Sequence, residues 1–258
     1  MQITDFNMNY FSLKGKNAIV TGGNTGLGQA FSLALAKAGA NIFTPSVMPE
    51  DPEFNKLIEN EGVKVLYKEA DLTKEGVPAE VVKYAVDNMG SIDILVNCAG
   101  ICLCEEVTKF GRELWDKMTA VNLTAAFEMS FETAKVMIPQ NSGKIINICS
   151  LFSFLGGQLS PAYTATKHGL AGLTKAYCDE LGQYNIQVNG IAPGYFKTKA
   201  AEYSVNNPER NKWIVDHTAA NRWGEVHDLM GTTVFLASRA SEFVNGHILT
   251  VDGGFLVR

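Results

Sequence analysis

The chain has 258 residues, 46% of them hydrophobic, enough to bury a large core, and it suits one α/β domain (1-258) better than two small ones. Its net charge of -5 disfavours nucleic acid as a partner, since nucleic-acid binders carry a basic patch or stripe. There is no apolar run of about 18 residues and no basic start followed by an apolar core, so no membrane partner and a cytoplasmic location are expected.

Short apolar runs alternate with helical patterns along the chain. Asn17 to Thr21 (NAIVT) reads as a buried strand, followed by glycine-rich sequence and a helix over Leu27 to Ala38. Asn41 to Pro45 is the next strand, a helix lies near Phe54 to Glu61, and Lys64 to Ala70 is a third strand. A helix near Ala79 to Met89 precedes the strand Ile92 to Asn97, and two long helical patterns, about Arg112 to Ala125 and Ala126 to Ile138, lead to the strand Lys144 to Ile148. A helix starting near Tyr163 leads to the strand Ile186 to Ala192, and Ile248 to Val251 is the last strand. Strand-helix alternation implies right-handed crossovers and a Rossmann-type, doubly wound parallel sheet. Such a sheet binds its ligand beyond the carboxyl ends of its strands, where Gly22 to Gly28, Asp71, Asn97 to Gly100, Ser150 and Pro193 to Gly194 all fall.

Four features carry chemistry. In TGGNTGLG, Gly22, Gly26 and Gly28 lie between strand and helix, where backbone can approach a pyrophosphate at a helix N-terminus. At the end of the second strand, Thr44, Pro45, Ser46 and Val47 supply neither acid nor base, while Glu50, Asp51 and Glu53 follow and would repel a 2′-phosphate. NAD is therefore favoured, with NADP as the alternative. Asp71 suits the adenine amino group or, equally, the N-cap of the next segment. In YTATK, Tyr163 and Lys167 share one helix face. A phenol holds its proton too tightly to act as a base at neutral pH, and a fixed cation beside it favours the phenolate. With the Ser150 hydroxyl donating to a substrate oxygen, the three groups could move a proton while a hydride moves elsewhere.

The five cysteines, Cys98, Cys102, Cys104, Cys149 and Cys178, show no CxxC spacing and read mostly as reduced core residues. Cys102 and Cys104 could form a reactive or metal-binding pair, but no second ligand cluster accompanies them and no metal site is expected.

Taken together, TGGNTGLG, NCAG (Asn97 to Gly100), Asn122, Ser150, YTATK, PGYFKT (Pro193 to Thr198) and VDGG (Val251 to Gly254) resemble the short-chain dehydrogenase/reductase family over nearly the whole chain. That resemblance implies Tyr163 as general acid/base, Lys167 as its electrostatic partner and ribose holder, Ser150 as the group orienting the substrate oxygen, and Asn122 as holder of a proton-relaying water. Without the family pattern, Asn122 reads equally well as a mid-helix Asn bonded to backbone. The same resemblance implies a cofactor site of Gly22, Asn24, Thr25, Gly26, Leu27, Gly28, Ser46, Asp71, Leu72, Asn97, Ala99, Gly100, Tyr163, Lys167, Pro193, Gly194, Phe196 and Thr198, and a homotetramer. Cys98 stands where the family usually has a second Asn, which removes one side-chain hydrogen bond. More narrowly, NYFSLKGK, INICSLFSFLGGQLSPAYTATKHGLAGLTKA and NRWGEVHDL look like the branch acting on sugar acids of the keto-gluconate type. A reductase of ketoacyl or other carbonyls using NADPH, and a non-catalytic dinucleotide sensor, are the competing readings.

Substrate choice is expected in a lid at about 196-222, which breaks the strand-helix rhythm. Arg222 is the first candidate for a substrate carboxylate, against a structural pair with Glu225 or Asp228; Lys199, Arg210 and His217 follow it. Gln158 and its neighbouring glycines could line the pocket, and His168 faces away from Tyr163. Trp223 and the tail Phe255 to Arg258 are expected to make oligomer contacts.

Overall fold

A computed structural model describes residues 5-258. In chain order its elements are β1 (Asn17–Val20), α1 (Gly26–Lys37), β2 (Asn41–Ser46), α2 (Pro52–Glu59), β3 (Val65–Glu69), α3 (Val77–Met89) and β4 (Ile94–Asn97). They continue with α4 (Arg112–Thr119), α5 (Ala125–Gln140), β5 (Gly143–Ile148), α6 (Pro161–Leu181) and β6 (Ile186–Pro193), then α7 (Glu202–Asn206), α8 (Pro208–His217), α9 (Met230–Ala237) and β7 (Ile248–Val251). The seven strands form one parallel sheet in the order β3-β2-β1-β4-β5-β6-β7. The order in which strands are added reverses between β1 and β4, whose connections leave on opposite faces, and this switch point opens the ligand crevice.

Both faces of the sheet are covered, which is why its strands read as apolar runs rather than alternating ones. Successive side chains point to opposite faces. Ala18, Val20, Ile94, Val96, Ile146 and Ile148 pack with Phe31 and Leu35 of α1 and Leu236 of α9. Ile19, Leu95, Ile145 and Val188 pack on the other face with Val81 and Ala85 of α3 and Met129 and Met137 of α5. Each strand thus divides its side chains between two cores.

The two long patterns read over 112–138 meet differently from expectation. Between α4 and α5 the chain makes a π-helical turn, Ala120–Thr124, so the helices run on with a widened turn that contains Asn122. The stretch 196–222, read as breaking the strand-helix rhythm, contains a 3-10 turn at Lys199–Ala201 leading into α7 and then α8. The reason is local: Asn207 caps α8 by accepting from the Arg210 N–H, and Pro208 occupies its first turn. Helix α9 was not anticipated at all; it is apolar on nearly every side and lacks a legible period.

Of the residues expected at oligomer contacts, Trp223 and Phe255 turn inward, while Val257 stays 83% exposed. Trp223 is buried and donates to Asn211 Oδ1 at 3.1 Å. Phe255 is buried against Tyr195 and Trp213, and Arg258 donates to the Asp216 carbonyl at 2.9 Å. The carboxyl end therefore fastens α8 of its own chain. Among the described residues, no helix is long and apolar enough to cross a membrane.

Candidate active site

The glycine turn after β1 is shaped for close approach. Gly22 sits at φ +64°, and a Cβ there would touch Ala99 of the facing turn after β4. A Cβ on Gly28 would run into the Gly22 carbonyl, so α1 can pack against the turn only with glycine at that place. Helix α1 begins at Gly26 with Thr25 at its N-cap, and no side chain takes up its first-turn N–H groups. Leu27 packs as a partly buried residue against the core. An open space over Gly26, amide donors and a helix N-terminus fit a pyrophosphate. Asn24 is buried and fixes the neighbouring loop, donating to the carbonyls of Met48 and Pro49 at 3.3 and 2.8 Å.

Thr21 was missed from sequence although it begins the glycine motif. Its Oγ1 accepts from the N–H groups of Cys98 and Ala99, both at 3.0 Å, which ties the turns after β1 and β4 together. Below them Asn97 donates to Asn147 Oδ1 at 2.8 Å and Ser130 Oγ at 2.9 Å, and Asn147 donates to Thr174 Oγ1 at 2.9 Å. These buried links join β4, β5, α5 and α6. Burial pushes the Cys98 thiol up to about 12, with the Lys167 charge pulling back.

At the adenosine end, Ser46 is buried at the end of β2 and accepts from the Met48 N–H at 3.1 Å. Asp51 caps α2 by accepting from the Phe54 N–H at 3.0 Å, and Glu50 accepts from Asn55 at 2.8 Å. Asp71 accepts from the Thr73 hydroxyl and N–H at 2.6 and 3.0 Å, and chiefly this hydroxyl holds its carboxyl below the usual range. That cap serves the turn before α3, whose own N-cap is Gly76. Leu72 beside it is buried.

Ser150, Tyr163 and Lys167 come from the end of β5 and from α6. Lys167 is 5% exposed; its ammonium donates to the Ile148 carbonyl at 2.6 Å and lies 5.5 Å from the Tyr163 ring centroid. Ser150 opens a 3-10 turn, Leu151–Ser153, in which its Oγ accepts from the Phe152 N–H at 3.2 Å. The turn is fastened to α6 twice, by the Ser153 hydroxyl donating to the Lys167 carbonyl at 2.8 Å and by Phe152 packing edge-on against Tyr163 at 5.9 Å. Sequence reasoning missed Ser153, though a serine three residues after Ser150 is a capping-box spacing.

Asn122 is buried and works on the backbone of the loop after β4: Oδ1 accepts from the Ile101 N–H and Nδ2 donates to the Ile101 carbonyl, both at 2.8 Å. A Cβ on Gly100 would meet Asn122 Oδ1 at 3.3 Å and Lys167 Nζ at 3.9 Å, which places the loop directly beside the ammonium. The loop is pinned again where Ser160 donates to the Leu103 carbonyl at 2.8 Å. Burial is the main reason the Cys102 thiol rises to about 11, with Cys104 adding to it, so Cys102 stays protonated at neutral pH.

Past β6, the Gly194 N–H bonds the Val251 carbonyl and Phe196 pairs with Gly224 in a parallel bridge. Thr198 N-caps the 3-10 turn without a side-chain bond. Arg222, the first candidate for a substrate carboxylate, is engaged within the chain. Its guanidinium holds Asp228 with two bonds, at 2.7 and 3.1 Å, which is the structural pair named as the alternative. Gln158 is exposed in the turn before α6, and His168 is exposed with Nδ1 on the Thr164 carbonyl.

This fold and site define a nicotinamide-dependent oxidoreductase acting on a CH–OH group. The profile of the short chain dehydrogenase family matches residues 16–209, and the chain belongs to that family. It is 63% identical over 253 residues to an uncharacterized oxidoreductase of Escherichia coli, YgcW, covering 98% of this chain and 97% of that one. It is 46% identical over 248 residues to 2-dehydro-3-deoxy-D-gluconate 5-dehydrogenase of Bacillus subtilis, covering 96% and 97%. The solved gluconate 5-dehydrogenase from Burkholderia cenocepacia J2315, in complex with NADP and tartrate, superposes with a TM-score of 0.91 at 36% identity, covering 97% of this chain and 98% of that one.

Proposed function

We propose that the enzyme interconverts the secondary alcohol and ketone of a sugar acid of the keto-gluconate type. The fastening of Ser150, Tyr163 and Lys167 into one corner of the crevice carries the reaction type. The full-length likeness to enzymes named for 2-dehydro-3-deoxy-D-gluconate and gluconate supports the substrate class.

The nicotinamide, when bound, gives or takes the hydride. In reduction, Tyr163 donates its phenolic proton to the carbonyl oxygen as that oxygen gains negative charge, while the Ser150 hydroxyl donates a hydrogen bond to the same oxygen. The buried Lys167 ammonium supplies positive charge against the phenolate left behind. In oxidation the same groups run in reverse. Asn122 positions the Gly100–Ile101 backbone beside them. The segment 196–222, with α7 and α8, closes over the substrate.

For the dinucleotide, the fixed negative charges at Glu50 and Asp51 and the uncharged Ser46–Val47 turn favour NAD(H) by electrostatic sign. The NADP in the Burkholderia cenocepacia relative favours the second reading, NADP(H). Turnover of 5-ketogluconate and 2,5-diketo-3-deoxygluconate with NADH and with NADPH tests both points. Inactivity across a panel of keto sugar acids removes the substrate class, and a clear preference for NADPH removes the first cofactor reading.

A further inference from the structure

We infer that Arg210 receives the carboxylate of the substrate, an assignment that rests on the sugar-acid reading above and narrows it to one side chain on the lid. A carboxylate needs a cation with open N–H donors facing the cleft. Most lid cations are already engaged. Lys197 pairs with Glu225 and Lys212 with Asp216, each at 2.6 Å, and Arg222 holds Asp228. His217 turns its ring Nδ1 to the Trp213 carbonyl at 2.8 Å. Among the described residues, Lys199 and Arg210 are the lysine and arginine of this segment without a carboxylate partner.

Arg210 is the better placed of the two. It lies in the first turn of α8, where its own N–H bonds the Asn207 cap, so its backbone is fixed. Its guanidinium carbon lies 4.9 Å from the Trp213 ring centroid and 5.9 Å from that of Tyr195. Beyond the hydrogen bond it gives the Tyr195 hydroxyl, the exposed guanidinium keeps further N–H donors that a carboxylate can accept from. A chain of neighbours connects it to the catalytic corner. The Tyr195 phenol, raised mainly by burial, is pulled back by Arg210 and pushed further by Cys102. Cys102 in turn lies 3.8 Å from the Ser160 hydroxyl at the head of α6, and it feels the Lys167 charge. Tyr195 lies two residues past the carboxyl end of β6, so Arg210, 5.9 Å from its ring centroid, stands at the sheet edge where the ligand crevice opens. The loop Ile101 to Cys104 after β4 carries no formal charge, and the Lys167 ammonium beside its start is taken up by the Ile148 carbonyl, so a cation of the segment 196–222 is the counter-charge left for an acid.

The experiment compares kcat/KM for gluconate and for glucitol, the uncharged polyol of the same carbon skeleton, in the full-length wild type, Arg210→Gln, Arg210→Lys and Lys212→Gln. The gluconate-to-glucitol ratio should fall about 10- to 150-fold in Arg210→Gln, the scale of losing a hydrogen bond to a charged group, with the loss carried by KM. Arg210→Lys should recover part of the ratio, and Lys212→Gln should keep it. An unchanged ratio in Arg210→Gln, or equal losses on both substrates, overturns the assignment while leaving the sugar-acid reading in place. Wild-type enzyme that turns over no sugar acid removes that reading, and the assignment with it.

Discussion

The Lys167 ammonium donates to the carbonyl of Ile148 at 2.6 Å, two residues before Ser150 on the same strand end. One backbone segment therefore carries the serine and anchors the lysine, while Ser153 returns a bond to the Lys167 carbonyl. The corner is held from both sides by bonds within the chain.

Tyr163→Phe keeps the ring that packs against Phe152 and removes only the phenolic oxygen. The expected result is a drop in kcat of at least about a hundredfold, the scale of a positioned acid or base, with dinucleotide affinity unchanged in fluorescence titration. Normal kcat with weakened dinucleotide binding would contradict the proton-transfer role.

Asn122→Ala strips both partners from the Ile101 backbone amide and carbonyl. Each unsatisfied group costs about 1–3 kcal/mol, so Tm should fall by several degrees, on a scale of about 2–4 °C per kcal/mol for a chain of this size. Asn122→Asp retains an acceptor for the Ile101 N–H and should lie between the two. Thermal melts decide, and an alanine variant that melts with the wild type would show that water replaces both bonds.

The exposed Val47 follows the uncharged end of β2. Val47→Arg adds a guanidinium where a 2′-phosphate would be met, and it should shift the ratio of kcat/KM toward NADPH by about tenfold or more. No shift would place the ribose away from this turn.

Asp228 is held down to about 2, first by the Arg222 guanidinium and then by the Glu225 N–H. Because the folded value lies below the ordinary 3.8, its contribution to stability is complete above that ordinary value and is lost as pH falls through about 2. Asp228→Asn should therefore be less stable than wild type at pH 7, and the gap should narrow from pH 4 downward. Denaturant midpoints across pH measure this; a gap independent of pH would assign the effect to packing.

Strand positions, the glycine turn and the spacing of Tyr163 and Lys167 were legible because each depends on local pattern: apolar runs buried on two faces, a turn intolerant of Cβ, a helix with 3.6 residues per turn. The segment 196–222 was legible only as an interruption of the strand-helix rhythm. Its helices depend on the Asn207 cap and on docking of the Phe255 tail, which is 48 residues away in sequence from Asn207 but packs against Trp213 and Tyr195. Thr21, Ser153 and Ser160 escaped notice because a hydroxyl gives no sign of which distant backbone group it will meet.

The sequence alone determined the doubly wound sheet and the residue types gathered at its carboxyl edge, since periodicity and motif spacing act within one or two turns of chain. Tertiary structure decided which charges remain open. Arg222 and Arg210 are alike as residues, and only folding showed that Asp228 occupies the first while the second lies against aromatic rings. Charge pairing depends on distances between elements far apart in the chain, which is why only the fold could tell the two arginines apart.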